Sequence, residues 1–376
     1  MQVELDAIEL RVIRLPLVEA FQSGHALRRH REVVIVRAIT GRSEADGWAE
    51  CVAEIDPTYW PEYTAGALHV LEHHLVPRAL AGASLHEVRG NNMAKAALEG
   101  AIIDAGLRAE GRSVAEFLGA DRREVTTGIA LGITQTVDEL VASARRWCGE
   151  GHRALKLKVT PAWDISPVRA VREAVGSGVA LLVDANGSYR SDFPGHRRAL
   201  RNLAHESLGL VAIEQPFPPD DLTGHIALAV DIGVDVPVCL DESIGSLGDL
   251  DTALALAGLA GVTLAVNLKV GRVGGLLEAH RIHQRCVEHS VPLRAGGMLE
   301  TGLGRALNLA VAALPGCTLP PDLAPSSRYF ARDITPPFRD RDGTLSVPTG
   351  PGLGVEPIQE VLDEVTEKQI ILRAST

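Results

Sequence analysis

The chain has 376 residues, 46% of them apolar, with a formal charge of −11. That length supports one large or two ordinary cores, and the acidic balance without a long basic run excludes nucleic-acid binding, which needs clustered Lys and Arg. No uncharged apolar stretch approaches the roughly 18 residues of a membrane span, and a start at Met1-Gln2-Val3-Glu4 without basic and apolar signal regions fits a cytoplasmic protein, as do scattered cysteines with no C-x-x-C.

Strand-like alternation through Val3 to Leu15, Val33 to Ala38 and Trp48 to Val52 predicts a three-stranded antiparallel sheet. A loop from Gln22 to Arg31 would separate the first two strands, with Arg28-Arg29-His30-Arg31 as a solvated turn. Helical spacing follows over Tyr63 to Leu80 and Met93 to Glu110, the second helix stopping at Gly111. His69-Val70-Leu71-Glu72-His73 spells a zinc-type H-x-x-E-H, but no third ligand is indicated, and the string reads as a polar helix face. Residues 1–124 thus form an α+β capping domain.

From Val125 the pattern changes to strand-then-helix. Strands are expected at Val125 to Leu131, Ala154 to Val159, Val179 to Asp184, Val211 to Glu214, Val236 to Asp241, Val262 to Leu268, Val291 to Ala295 and Thr318 to Pro320. From the second to the seventh, their polar endings recur every 26 to 30 residues: Lys158, Asp184, Glu214, Asp241, Lys269 and Gly296. That is the length of a strand, a returning helix and two loops, so the fold class is α/β, a (β/α)7β TIM-like barrel over residues 125–321. Residues 322–376, interrupted by Pro336-Pro337 and Gly350-Pro351-Gly352, are expected to return to the capping domain.

Side chains at the C-terminal ends of barrel strands converge on one pocket. Asp184, Glu214 and Asp241 would bring three hard carboxylates together with no His or Cys, a donor set for Mg²⁺ or Mn²⁺ rather than Zn²⁺. Lys158 and Lys269, four strands apart, would stand on opposite sides of that triad. Such a pair suits proton abstraction beside a carboxylate held by the metal, with Lys156 and Arg272 as nearby cations that lower a lysine's pKa. Asn186 and Glu242 are placed to orient the ligands.

The series Lys156-Leu157-Lys158, Asp184-Ala185-Asn186, Glu214-Gln215-Pro216, Asp241-Glu242-Ser243 and Lys269 resembles the enolase superfamily, in its muconate lactonizing enzyme subgroup. Narrower strings, Asn92-Met93-Ala94-Lys95, Gly296-Gly297-Met298-Leu299-Glu300-Thr301-Gly302 and Pro348-Thr349-Gly350-Pro351-Gly352, resemble the o-succinylbenzoate synthase and N-acylamino acid racemase family. The resemblance implies Mg²⁺ on Asp184, Glu214 and Asp241, a small carboxylate substrate, Lys158 as base and Lys269 as the opposing cation. It also implies assembly into a homo-oligomer. Two reactions follow from it: dehydration of 2-succinyl-6-hydroxy-2,4-cyclohexadiene-1-carboxylate to o-succinylbenzoate, or racemisation by both lysines. For the second, Arg272 would bias Lys269 towards its neutral form.

The strand-seven string places Gly296 and Met298 beside the substrate. Tyr59, Tyr329-Phe330 and the Phe21 to Arg31 loop would form a lid. Ala130 stands where a serine is common in racemase-like members, and Glu54 where a methionine is common. The rivals are a dipeptide epimerase, disfavoured because no D-x-D pair follows strand eight, a muconate cycloisomerase, and a metal-dependent binding protein, which would have little use for two opposed lysines.

Overall fold

The computed structural model describes residues 3–22 and 27–374. The amino-terminal alternation runs further than expected, giving β1 (Ala7–Gln22) and β2 (Leu27–Ile39), followed by β3 (Gly47–Cys51). The sheet has four strands rather than three, because β13 (Thr366–Arg373) pairs antiparallel with β1 on its open edge. One face packs Ile8, Leu10, Val34 and Val36 with Met93, Ala97 and Leu98 of α3 (Asn92–Glu110). The other face, with Ile13, Leu15, Val33, Ile35 and Trp48, joins the larger core that continues into the barrel. Close approach of β3 to α3 depends on Gly47, where a Cβ would collide with the backbone oxygen of Ala101.

The basic cluster lies in β2, not in a turn. Arg31 points inward and donates to Val52 O at 2.9 Å and Ala53 O at 3.0 Å, and Arg28 is ion-paired with Glu54. Three residues apart, Arg28 and Arg31 lie on opposite faces of the strand, and each meets a partner from the segment after β3, a carboxylate for Arg28 and backbone carbonyls for Arg31. Of the expected lid loop, residues 23–26 lie outside the described part of the chain.

Helix α1 (Thr64–Val70) runs through a wider turn at Leu71–Leu75 into α2 (Val76–Leu80). After α3 comes α4 (Val114–Leu118), closed by a Ser113–Glu116 capping box. The run Val125 to Leu131 then splits in two. Its first part, β4 (Glu124–Thr126), turns away to pair with β12 (Thr344–Ser346), and its second, β5 (Ile129–Leu131), begins the barrel. The parallel sheet continues through β6 (Ala154–Lys158), β7 (Ala180–Asp184), β8 (Leu210–Glu214), β9 (Val238–Leu240), β10 (Leu264–Leu268) and β11 (Leu293–Ala295).

Helices return between the strands: α5 (Val137–Gly149), α6 (Ile165–Val175), α7 (Pro194–Leu203), α8 (Leu222–Ile232), α9 (Leu247–Ala260), the short α10 (Val270–Val273) and α11 (Leu276–Glu288). Beyond β11 come α12 (Gly302–Ala312) and, near the carboxyl end, α13 (Gln359–Val365).

The expected eighth strand is not a regular one. Pro320 and Pro321 have no N–H to give a ladder, so closure rests on single bonds, Leu319 N–H to Leu293 O at 2.9 Å and Gly128 N–H to Pro321 O at 2.6 Å. Together they join β11 to β5. No helix among the described residues is long and apolar enough to cross a membrane, and all five cysteines are free thiols.

Glu50 of β3 ties this sheet to the barrel by accepting from Thr301 N–H at 3.1 Å, at the start of α12. Burial, and then the neighbouring Glu300, push its carboxyl up to about 8. A folded-state pKa above the unfolded value means that the folded protein holds the extra proton, so stability falls as pH rises from about 4.5 to about 8. Glu50→Gln is expected to flatten that slope in urea melts taken between pH 5 and 8; an unchanged slope would exclude Glu50 as its source.

Candidate active site

Period-2 alternation aims one row of side chains from each strand into the barrel. Register aligns Ala130 with Lys156, Lys156 with Leu182, Lys158 with Asp184, and Asp184 with Glu214. Asn267 is level with Arg294. The lower part of this interior is filled by Leu182, Ala212, Cys239 and Ala265. Three of these four are small.

Above them Asp184, Glu214 and Asp241 each offer an oxygen within 4.8 Å of the others, all three residues buried. The chain turns sharply after the first two strands, at Asn186 and Gln215, both with positive φ. Gln215 is held there by its own side chain, whose Oε1 accepts from Asp241 N at 2.9 Å and Ser243 N at 3.1 Å. Asn186 N donates to Asp184 at 3.0 Å and its amide donates to Glu242 at 2.9 Å. These bonds fix strained positions that also orient carboxylates.

Cations surround the triad. Lys156 Nζ reaches Asp184 and Glu214, each at 2.8 Å, and Asp322 at 2.5 Å. Lys158 Nζ donates to Asp184 at 2.7 Å and Asn186 at 2.6 Å. On the other side Lys269 Nζ donates to Asp241 at 2.8 Å and to the Tyr59 hydroxyl at 2.9 Å. Arg272 is paired with the second oxygen of Asp241 and is fully buried.

Burial alone would push these carboxyls up, but Lys156 and Lys158 outweigh it and hold Asp184 well below its ordinary range. Arg272 and Lys269 likewise hold Asp241 down. Glu214 stays above its usual value, through burial and despite Lys156. Glu242 rises to about 7 through burial and the neighbouring Asp241. The expected bias of Lys269 towards neutrality is not met in this arrangement: burial and Arg272 do lower its pKa, but Asp241, Tyr59 and Glu242 together more than compensate and keep it raised.

The donor set fits a hard divalent cation. Its oxygens are carboxylate only, they converge, and a further buried oxygen nearby, Glu242 Oε2, has no hydrogen-bond partner.

A cavity of about 630 Å³ opens over this cluster, lined by both lysines, Lys156, Asn186, Tyr59, Ala130, Met298 and Asp322, and by Phe21, Arg28, Glu54, Gly297, Leu299 and Tyr329. Of the residues singled out in the sequence, Asp184, Glu214, Asp241, Glu242 and Arg272 lie behind its wall, and Gly296 and Phe330 do not line it either. Gly296 packs against Asn267, where a Cβ would collide with the amide, and its neighbour Gly297 faces the cavity. Phe330 is buried, and Tyr329 takes its place.

Three residues escaped sequence reasoning. Asp322 binds Lys156 and, at 3.3 Å, Arg294, whose guanidinium is 2.5 Å from Glu214, while Asn267 donates to Glu214 at 2.9 Å. A lone arginine inside the apolar run Val291 to Ala295 was the available signal.

Residues 139–361 match the family described as Enolase C-terminal domain-like. The chain is 45% identical to an N-succinylamino acid racemase from Amycolatopsis sp, over 98% of this chain and 99% of that protein. It is 37% identical to an o-succinylbenzoate synthase from Geobacillus stearothermophilus, over 98% and 97% respectively. Among solved structures, an enolase superfamily member from Listeria innocua superposes with a TM-score of 0.91 at 31% identity, covering all of both chains. With the barrel, the carboxylate triad and this full-length similarity in hand, the chain belongs to the enolase superfamily, as an enzyme of the family of the o-succinylbenzoate synthases and N-succinylamino acid racemases.

Proposed function

We propose that this enzyme dehydrates 2-succinyl-6-hydroxy-2,4-cyclohexadiene-1-carboxylate to o-succinylbenzoate, a step towards menaquinone, with Mg²⁺ held by Asp184, Glu214 and Asp241; Mn²⁺ would suit the same oxygens. The observation that carries this reading is that two buried lysines, reached from β6 and from the end of β10, line one cavity on either side of the triad. Bound there, the metal would supply positive charge at the substrate carboxylate, where charge grows as the neighbouring proton leaves. Lys158 takes that proton and, as its conjugate acid, returns it to the departing hydroxyl. Lys269, hydrogen-bonded to Tyr59, stands cationic against the other face and stabilises the enediolate. Asn186 and Lys156 hold Lys158 and the carboxylates in register.

A second reading, racemisation of N-acylamino acids in the same pocket, is favoured by the position of Arg272 beside Lys269 and Asp241 and by the name of the 45% identical relative. In that reaction one lysine removes the α-proton and the other delivers a proton to the opposite face. The free thiols support a reducing, cytoplasmic setting, and assembly into a homo-oligomer follows the family resemblance.

The test is direct. Purified protein with Mg²⁺ is expected to convert the cyclohexadiene substrate to an aromatic product, followed by absorbance, and to erase the optical rotation of a single enantiomer of an N-succinylamino acid. Failure of the first reaction with success of the second would make the enzyme a racemase. Failure of both would reject the proposal.

A further inference from the structure

Arg294 has no part in the proton chemistry just described, yet it is one of the largest fully buried side chains in the protein. It rises from β11 level with Asn267 and enters the barrel, where Ala212, Cys239 and Ala265 leave room for a long side chain. Its Nη1 donates to Glu214 Oε2 at 2.5 Å and its Nη2 lies 3.3 Å from Asp322. The other oxygen of Glu214 already accepts from Lys156 at 2.8 Å and Asn267 at 2.9 Å. Both oxygens of this ligand are therefore occupied by the chain's own donors.

Around the triad, five carboxylates (Asp184, Glu214, Asp241, Glu242 and Asp322) are matched by five cations (Lys156, Lys158, Lys269, Arg272 and Arg294). Lys158 and Lys269 face the substrate cavity, whereas Arg294 does not line it.

We propose that Arg294 is a resident counter-cation of the metal site: it neutralises Glu214 where a divalent ion would otherwise be required, and so lowers the affinity for that ion. Two positive charges compete for one carboxylate in a low-dielectric interior, where such repulsion is poorly screened. The same contact gives the metal-free barrel a second counter-charge for Glu214, whose other cation, Lys156, is shared with Asp184 and Asp322. The enzyme would thus fold without metal and bind it weakly enough to depend on the supply around it. The inference rests on the reading of Asp184, Glu214 and Asp241 as metal ligands.

The test uses the full chain and MnCl₂ in titration calorimetry, with thermal melts alongside. Glutamine at 294 keeps hydrogen-bonding capacity but removes the charge, so Arg294→Gln is expected to lower the Mn²⁺ dissociation constant at least tenfold. Arg294→Lys, which keeps the charge, is expected to stay within about threefold of wild type. Metal should also raise the melting temperature of Arg294→Gln by more than it raises that of the wild type.

Unchanged or weaker Mn²⁺ binding by Arg294→Gln would overturn the proposal, as would equal tightening in Arg294→Lys. Should Arg294→Gln fold only when Mn²⁺ is present, that rescue supports it, and a variant that stays unfolded at saturating Mn²⁺ contradicts it. Absence of any Mn²⁺ binding by the wild type would instead fail the metal-site reading itself.

Discussion

Lys158→Ala is expected to lower both dehydration and α-proton exchange by about 10²–10⁴-fold, the usual contribution of a positioned acid–base group, with Mn²⁺ binding retained. Lys158 sits at the end of β6 with its ammonium between Asp184 and Asn186 and its outer side on the cavity. Removing it leaves Asp184 still paired with Lys156 at 2.8 Å, so the carboxylate keeps a counter-charge and the barrel a reason to stay folded. Lys158→Arg separates two roles. Arginine keeps the positive charge but cannot give up its proton near neutral pH, so a base at this position predicts a loss as large as that of alanine. Substantial activity in the arginine variant, measured by the same absorbance assay, would assign Lys158 to electrostatics instead.

Asp241→Asn should be the most damaging change to both stability and turnover. Asp241 is fully buried and neutralises two cations at once, Lys269 at 2.8 Å and Arg272. Its removal strands both in the interior, and breaking a buried pair from one side costs about 3–5 kcal/mol. It also deletes one of the three converging oxygens. The expected result is a clear drop in melting temperature together with loss of calorimetric Mn²⁺ binding. A variant as stable as wild type that still bound Mn²⁺ would remove Asp241 from the site.

The barrel could be read from sequence because parallel strands buried on both faces write continuous apolar runs, and because their polar ends fall at a fixed interval. Asp184, Glu214, Asp241, Lys158 and Lys269 were legible for that reason, and the structure brings all five together. What failed had local causes. Two prolines hide the closing segment at Leu319 from any ladder pattern. The split at Thr127 and Gly128, which sends β4 to β12, depends on a partner more than 200 residues away.

Arg28 and Arg31 looked like a polar turn because the carbonyls and the carboxylate that receive them come from the segment just after β3. Asp322 and Arg294 were missed for a related reason. Asp322 follows Gly296 by 26 residues, but the strand before it is irregular, and Arg294 lies inside a strand rather than at its end; their significance appears only when β6, β8 and β11 face one another across the barrel.

The shared pocket also explains why one chain resembles proteins with two different names. Dehydration and racemisation both begin by removing a proton beside a carboxylate, and they diverge only in what leaves or returns on the far face. Specificity then falls to the cavity wall, where Ala130, Glu54, Arg28, Leu299 and Tyr329 stand away from the triad. Arg28, from the expected lid segment, and Glu54 pair with each other and give this wall a polar stretch.

The most direct measurement is deuterium exchange followed by proton NMR, using a single-enantiomer N-succinylamino acid in D₂O with wild-type enzyme, first stripped of divalent ions by chelator and then supplied with Mg²⁺. Two lysines flanking a metal-held carboxylate predict no loss of the α-proton signal in the stripped enzyme and its steady disappearance once Mg²⁺ is restored. Exchange that proceeds equally without the ion, or neither exchange nor dehydration of the cyclohexadiene substrate with it, would contradict the account.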